Sequence, residues 1–156
     1  MLSRITFFAF VCAVCILSLG CPPVDEGTVY FLVADVQYPE NGGYILPLTD
    51  PADIAHARAL IWNPNGTDQP LVVARIAPGA SEGEYANRDL MGDGALWSWR
   101  IVEFVEFADF TIEILDGNAR IVEEDLDAWI ANTNGAIGFW SYRVIRRVWP
   151  CEMAAE

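Results

Sequence analysis

The chain has no lysine: its 9 basic residues are all arginine. That excludes Schiff-base chemistry, a pyridoxal-phosphate lysine and the lysine of a phosphate-binding P-loop. It has 1 histidine, His56, so a zinc site built on several imidazoles is excluded too. No Gly-x-Ser-x-Gly elbow occurs, and no serine is offered as a nucleophile on a strand-to-helix turn. Basic charge as a whole is scarce. Acidic residues number 22, giving a formal net charge of −13. This balance argues against nucleic acid and anionic lipid surfaces as partners, and leaves cationic ones, calcium included. No internal repeat or low-complexity tract is visible.

What is present begins with an address. Met1 to Gly20 reads as a signal peptide: Arg4 supplies the positive end, and Ile5 to Leu19 is an apolar run too short for a membrane span. Ser18-Leu19-Gly20-Cys21 resembles a bacterial lipoprotein signal, with Ser18 standing where Leu is preferred. Lipidation of Cys21 would anchor the mature chain to a bacterial membrane, at the outer membrane or cell surface. Residues 21–27 are then a lipidated tether, 28–149 the folded domain and 150–156 a C-terminal tail. Cys12 and Cys15 leave with the signal. With Cys21 taken by lipid, Cys151 is a lone thiol; with Cys21 unmodified, a Cys21–Cys151 disulfide is open instead.

The domain is organised around Tyr44 to Trp62, YILPLTDPADIAHARALIW. Tyr44, Leu46 and Leu48 alternate as in a strand. Asp50 is placed to cap the helix that follows, Pro51 loses nothing at its first position, and Asp53 suits the positive end of the helix dipole. Ile54, Ala57 and Ile61 mark the buried stripe, and Asn63-Pro64-Asn65-Gly66 ends the helix. Upstream, Thr28 to Val36 is a strand joined through Pro39 to Gly43 in a hairpin. Downstream come strands at Pro70–Ala77, Trp97–Phe104 and Phe107–Leu115, with a polar loop over Pro78–Gly94. A helix follows at Ala119–Ile130, with Ile121, Val122, Leu126 and Trp129 inward. The last strand is Ile137–Trp149. The order ββαβββαβ predicts a compact α+β domain with a mainly antiparallel sheet and two helices.

Several of these stretches also carry a resemblance. PLTDPADIAHARAL, Trp97-Ser98-Trp99, FADFTIEILD with the Ile121–Asp127 run, and Trp140-Ser141-Tyr142-Arg143 together resemble a family of secreted bacterial proteins labelled calmodulin-binding protein-like. These share a domain with the N-terminus of a slime-mould calmodulin-binding protein. The likeness runs over Val29 to Val148. It implies a fold and no established enzymatic activity. Leu115 and Gly138 stand where the resemblance implies a cysteine pair, and Arg100 where it implies a histidine, so no role of those groups carries over.

Chemistry-bearing groups are few. His56 with Asp50 and Asp53 is the one Asp/His group, and a hydrolase reading would make His56 the general base. Asp50 and Asp53 already serve the helix start, and His56 lies off the buried stripe. Glu82, Glu84, Asp89 and Asp93 in the long loop are the candidate metal ligands; calcium takes six to eight oxygens, and this loop lacks the EF-hand pattern. The 6 tryptophans lie in or beside predicted elements and read mostly as core. If open, Trp97 with Trp99, and Trp140 with Tyr142, would form aromatic platforms for a glycan or peptide. Arg143, Arg146 and Arg147 form a basic cluster on a strand, not the amphipathic helix of a calmodulin target. The expectation is an envelope lipoprotein carrying a non-enzymatic binding domain for an unknown protein or glycan, without cofactor. A calcium-dependent module using loop 82–94 is the alternative, and a His56 hydrolase the third reading.

Overall fold

The computed structural model describes residues 27–66, 69–82, 85–109 and 116–154. The signal peptide, Cys21, Glu84 and most of the expected Phe107–Leu115 strand lie outside them. Strand β1 (Val29–Asp35), a 3-10 turn (Pro39–Asn41) and strand β2 (Gly43–Leu48) form the expected hairpin, in register from Val29↔Leu48 to Ala34↔Gly43. Helix α1 (Pro51–Trp62) starts as its sequence dictates. Asp50 accepts from the amides of Ala52 and Asp53 at 2.8 and 3.3 Å. Ile54, Ala57 and Leu60 are its buried residues, while Ile61 packs at the margin of the core.

Strand β3 (Leu71–Pro78) follows, and then the stretch expected to be one polar loop. It holds a small hairpin, β4 (Ser81–Glu82) with β5 (Tyr85–Ala86), and an isolated bridge Arg88↔Leu96. Strand β6 (Trp99–Ala108) is longer than expected and pairs with β3 across two irregularities in register. The expected second helix is broken. Asp125 adopts φ −150°, ψ 73°, ending α2 (Ala119–Glu124) and capping α3 (Leu126–Thr133) through the Ala128 amide. Ile121 points outward, contrary to expectation, while Val122 and Trp129 are buried. The expected last strand also divides. β7 (Ala136–Ile137) pairs with β3, and β8 (Tyr142–Val148) crosses to pair with β1. A short helix α4 (Pro150–Met153) closes the described chain.

The result is an α+β fold with two three-stranded antiparallel sheets, β2-β1-β8 and β6-β3-β7. Between them lies the main core, where Phe31, Tyr44 and Leu46 meet Ala74, Ile76 and Trp99, closed by Ile54 of α1 and Trp129 of α3. The opposite face of the first sheet is covered as well: Leu32, Ala34 and Ile45 pack with Tyr85 and Met153. β1 is thus buried on both faces, which its unbroken apolar run FLVA requires. Three tryptophans depart from the expected core. Trp62 is 88% exposed, Trp140 51% and Trp149 52%. Cys151 is disulfide-bonded, so it is not the expected lone thiol; its partner lies outside the described residues.

Candidate functional site

The register of the first sheet gives the domain two distinct ends. Val29↔Leu48 and Tyr30↔Val148 lie at the end where the described chain enters, and Ala34↔Gly43 and Asp35↔Tyr142 lie at the other. At this far end, four connections meet: the β1–β2 turn, the Asn87–Trp97 loop, the start of α2 and the approach to β8.

Buried polar side chains hold them together, as they must where irregular backbone is taken out of water. Asn87 is fully buried; it accepts from the Ile45 amide at 2.9 Å and donates to the Trp99 carbonyl at 2.8 Å. Asp89 is buried, and its Oδ1 accepts from the amides of Gly43, Met91 and Gly92 at 3.0, 3.1 and 3.2 Å. Its Oδ2 meets Arg120 Nη2 at 3.1 Å. Arg120 Nε donates to the Glu40 carbonyl, and its guanidinium lies 5.7 Å from the centre of the Trp97 ring. Trp97 in turn donates from Nε1 to the Gly43 carbonyl at 2.8 Å. Tyr142 accepts from the Ala119 amide and donates to the Asn41 carbonyl, each at 2.9 Å. Burial drives its hydroxyl pKa well up, against the opposing pull of the Ala119 amide. Asp35 organises the β1–β2 turn. Burial works to raise its pKa, but hydrogen bonds from Asn41, Tyr38, Gln37 and Ser141 hold the carboxyl below its ordinary value.

Gly42 is required at this junction. Its φ is +78°, and a Cβ there would come within 2.9 Å of Trp97 and 3.0 Å of Asp89 Oδ2.

Outside this framework opens a cleft of about 360 Å³, lined by Asp89, Asp93, Leu96, Trp97, Arg120 and Glu123 among others. Glu123 accepts from both the amide and hydroxyl of Ser98, at 2.8 and 3.0 Å, which ties α2 to the start of β6. Leu96 is half-exposed at its wall. A second cleft, of about 660 Å³, lies at the chain-entry end between β2, the start of α1 and β6.

The candidate residues read from sequence are scattered by the fold. Trp97 and Trp99 are buried and stacked on one another at 5.9 Å, so they form no open platform; Trp97 keeps an edge on the far-end cleft. Trp140 and Tyr142 part company, the first half-exposed and the second 1% exposed. Asp89 and Asp93 line the same cleft, yet Asp89 is engaged as above and Asp93 accepts from the Ala95 amide at 3.0 Å. No group of three or more acidic, histidine or cysteine side chains able to hold a metal occurs among the described residues. The Glu82 side chain and Glu84 lie outside them. His56 is exposed on α1 and packs edge-on to Phe107 at 4.7 Å, a surface position. Arg143 folds back onto the carbonyls of Trp140 and Tyr142, both at 2.7 Å; burial lowers its pKa.

Arg120, Asn87 and Asp35 do not stand out in the sequence. One signal is available for Arg120: Asn118 caps α2, accepting from the amides of Arg120 and Ile121 at 3.0 Å each, which fixes that arginine in the first turn.

The model of the N-terminal domain of the calmodulin-binding protein 74 family matches residues 27–150. The chain belongs to that family. The match takes in both sheets and α1 to α3, and agrees with the resemblance carried by the strand-turn-helix stretch and the tryptophan strand. No curated protein and no solved structure matches the chain. Among the described residues, no helix of this family domain is long and apolar enough to cross a membrane.

Proposed function

We propose that this domain is an exported, non-enzymatic binding module of the bacterial envelope whose far-end cleft receives a protein or glycan ligand; lipid on Cys21 anchors it where that sulfur is not the partner of Cys151. The observation that supports it is the Arg120 guanidinium, held between Asp89 and Glu40 at the mouth of a cleft already framed by buried hydrogen bonds. Such preorganisation spares the ordering cost of binding. The cleft also lies opposite the end at which the chain enters the fold, so an anchored domain would present it outward.

The disulfide at Cys151 bears on the anchor. A sulfur carrying a lipid cannot also form a disulfide, and both chemistries belong to an exported protein. The intact mass of the chain isolated from membranes discriminates them. A diacylated Cys21 supports the anchor; an unmodified, oxidised chain replaces it with a tie between the two ends. Binding is tested on purified peptidoglycan and a panel of envelope glycans, comparing the wild-type chain with Arg120→Ala. Retention by the wild type and loss in the variant is expected. Equal retention by both would remove the far-end cleft from the account.

A further inference from the structure

The far end carries a second feature, around its cleft. Ten large apolar side chains are well exposed among the described residues, and six of them sit at this end: Val36, Tyr38, Met91, Leu96, Ile121 and Trp140. The hydrogen-bond framework places them there. The Val36 amide donates to the Ser141 carbonyl at 3.0 Å, which sets Val36 beside the neighbour of Trp140. The Tyr38 amide donates to Asp35 and the Met91 amide to Asp89. Ile121 follows Arg120, which is bound to Asp89 and to the Glu40 carbonyl, and Leu96 stands at the cleft wall. Each of the six is between 37% and 56% exposed. Except for Ile121 they lie in connecting segments, where the fold itself asks for no large apolar side chain in solvent.

We infer that this rim docks a protein presenting an apolar surface edged with basic residues, whatever the cleft itself holds. An exposed apolar rim with polar surroundings is the mark of a protein contact. Val36, Leu96 and Ile121 are aliphatic and offer a sugar hydroxyl no hydrogen bond, whereas apolar side chains of a partner gain by covering them. Tyr38, Met91 and Trp140 are of the types enriched at the centre of protein interfaces. Charge selects the kind of partner. The chain carries a formal charge of −13, so a second copy is repelled. The cations at this end are turned onto the protein itself, Arg120 onto Asp89 and the Glu40 carbonyl, Arg143 onto the carbonyls of Trp140 and Tyr142. The carboxylates of Glu40 and Asp93 are exposed. A basic edge on the partner is therefore drawn to the rim, while the apolar contact holds it.

The test is fluorescence anisotropy of a labelled amphipathic leucine–lysine peptide titrated with the intact chain, alongside a leucine–glutamate peptide of the same pattern. Val36→Ser with Trp140→Ser strips the rim without touching the cleft lining, and Val102→Ser removes an exposed side chain at the chain-entry end. Unliganded melting temperatures confirm that both variants are folded. The expected result is saturable binding of the basic peptide alone, about tenfold or more weaker in the rim variant and unchanged in the Val102 variant. Glycan retention by the rim variant reports on the cleft separately, since its lining is intact. No saturable binding, equal binding of the acidic peptide, or equal weakening in both variants overturns the inference. So does dimerisation in sedimentation, or retention on phosphatidylcholine vesicles, that the rim variant loses, because a second copy or lipid then covers the rim.

Discussion

Tyr44 and Tyr142 stack in the core with ring centres 5.9 Å apart and 21° between planes, yet their hydroxyls have opposite fates. Tyr142 bridges the Ala119 amide and the Asn41 carbonyl, whereas the buried Tyr44 hydroxyl has no hydrogen-bond partner among the described residues. An unmet buried hydroxyl costs free energy and a bridging one stabilises, so the same deletion acts in opposite senses. Tyr142→Phe is expected to lower stability by about 1–3 kcal/mol, and Tyr44→Phe to leave it unchanged or raise it by up to about 1 kcal/mol. Urea unfolding of the two variants checks this; a larger loss for Tyr44→Phe would contradict it.

Asp89 and Arg120 differ in exposure, 3% against 51% for their side chains, and so in what their loss leaves behind. Asp89→Ala strips the acceptor from three backbone amides as well as from Arg120. Arg120→Ala leaves Asp89 its three amide donors. The expected losses are about 3 kcal/mol or more for the first and about 1 kcal/mol for the second. Thermal melts of both variants measure the order, and a greater loss for Arg120→Ala would show that the amides do not hold the carboxylate.

Gly42→Ala combines a left-handed φ of +78° with a Cβ pressed against Trp97. Strain of about 1–3 kcal/mol is expected, and it falls on the far-end cleft because Trp97 and Asp89 must give way. Tryptophan fluorescence should shift along with the melting temperature. A change in stability with unaltered fluorescence would place the strain elsewhere.

Acid should loosen the β1–β2 turn. Asp35 has a folded pKa below its unfolded value of about 3.9. A depressed carboxyl stabilises the fold above the unfolded pKa, and that contribution is lost as pH falls through the folded value. Wild type should therefore lose stability on acidification below about pH 4 more steeply than Asp35→Asn. Parallel curves for the two chains would show that Asp35 is not a source of the acid sensitivity.

How much of this was legible in the sequence differs from element to element. The start of α1 was, because capping is a contact between neighbours in the chain: Asp50, Pro51 and Asp53 act within one turn. The hairpin of β1 and β2 was as well, since alternation and a Pro-Glu-Asn-Gly-Gly turn are local signals. The second helix was not, because its apolar spacing continues through Asp125 while the backbone breaks there to cap α3. The last strand read as one run, and only the presence of two sheets divides it between β3 and β1.

The sequence by itself determined the acidic character, the absence of lysine and multi-histidine chemistry, the α+β class and the family. Composition sets the first two, and short-range periodicity and motif order set the others. The tertiary structure alone decided which polar residues matter. Asp89 meets Gly43 across 46 positions, Tyr142 meets Asn41 across 101, and Arg120 meets Glu40 across 80. Nothing in a residue's neighbours encodes partners that distant; only the burial of loop backbone, which must satisfy its hydrogen bonds, brings them together.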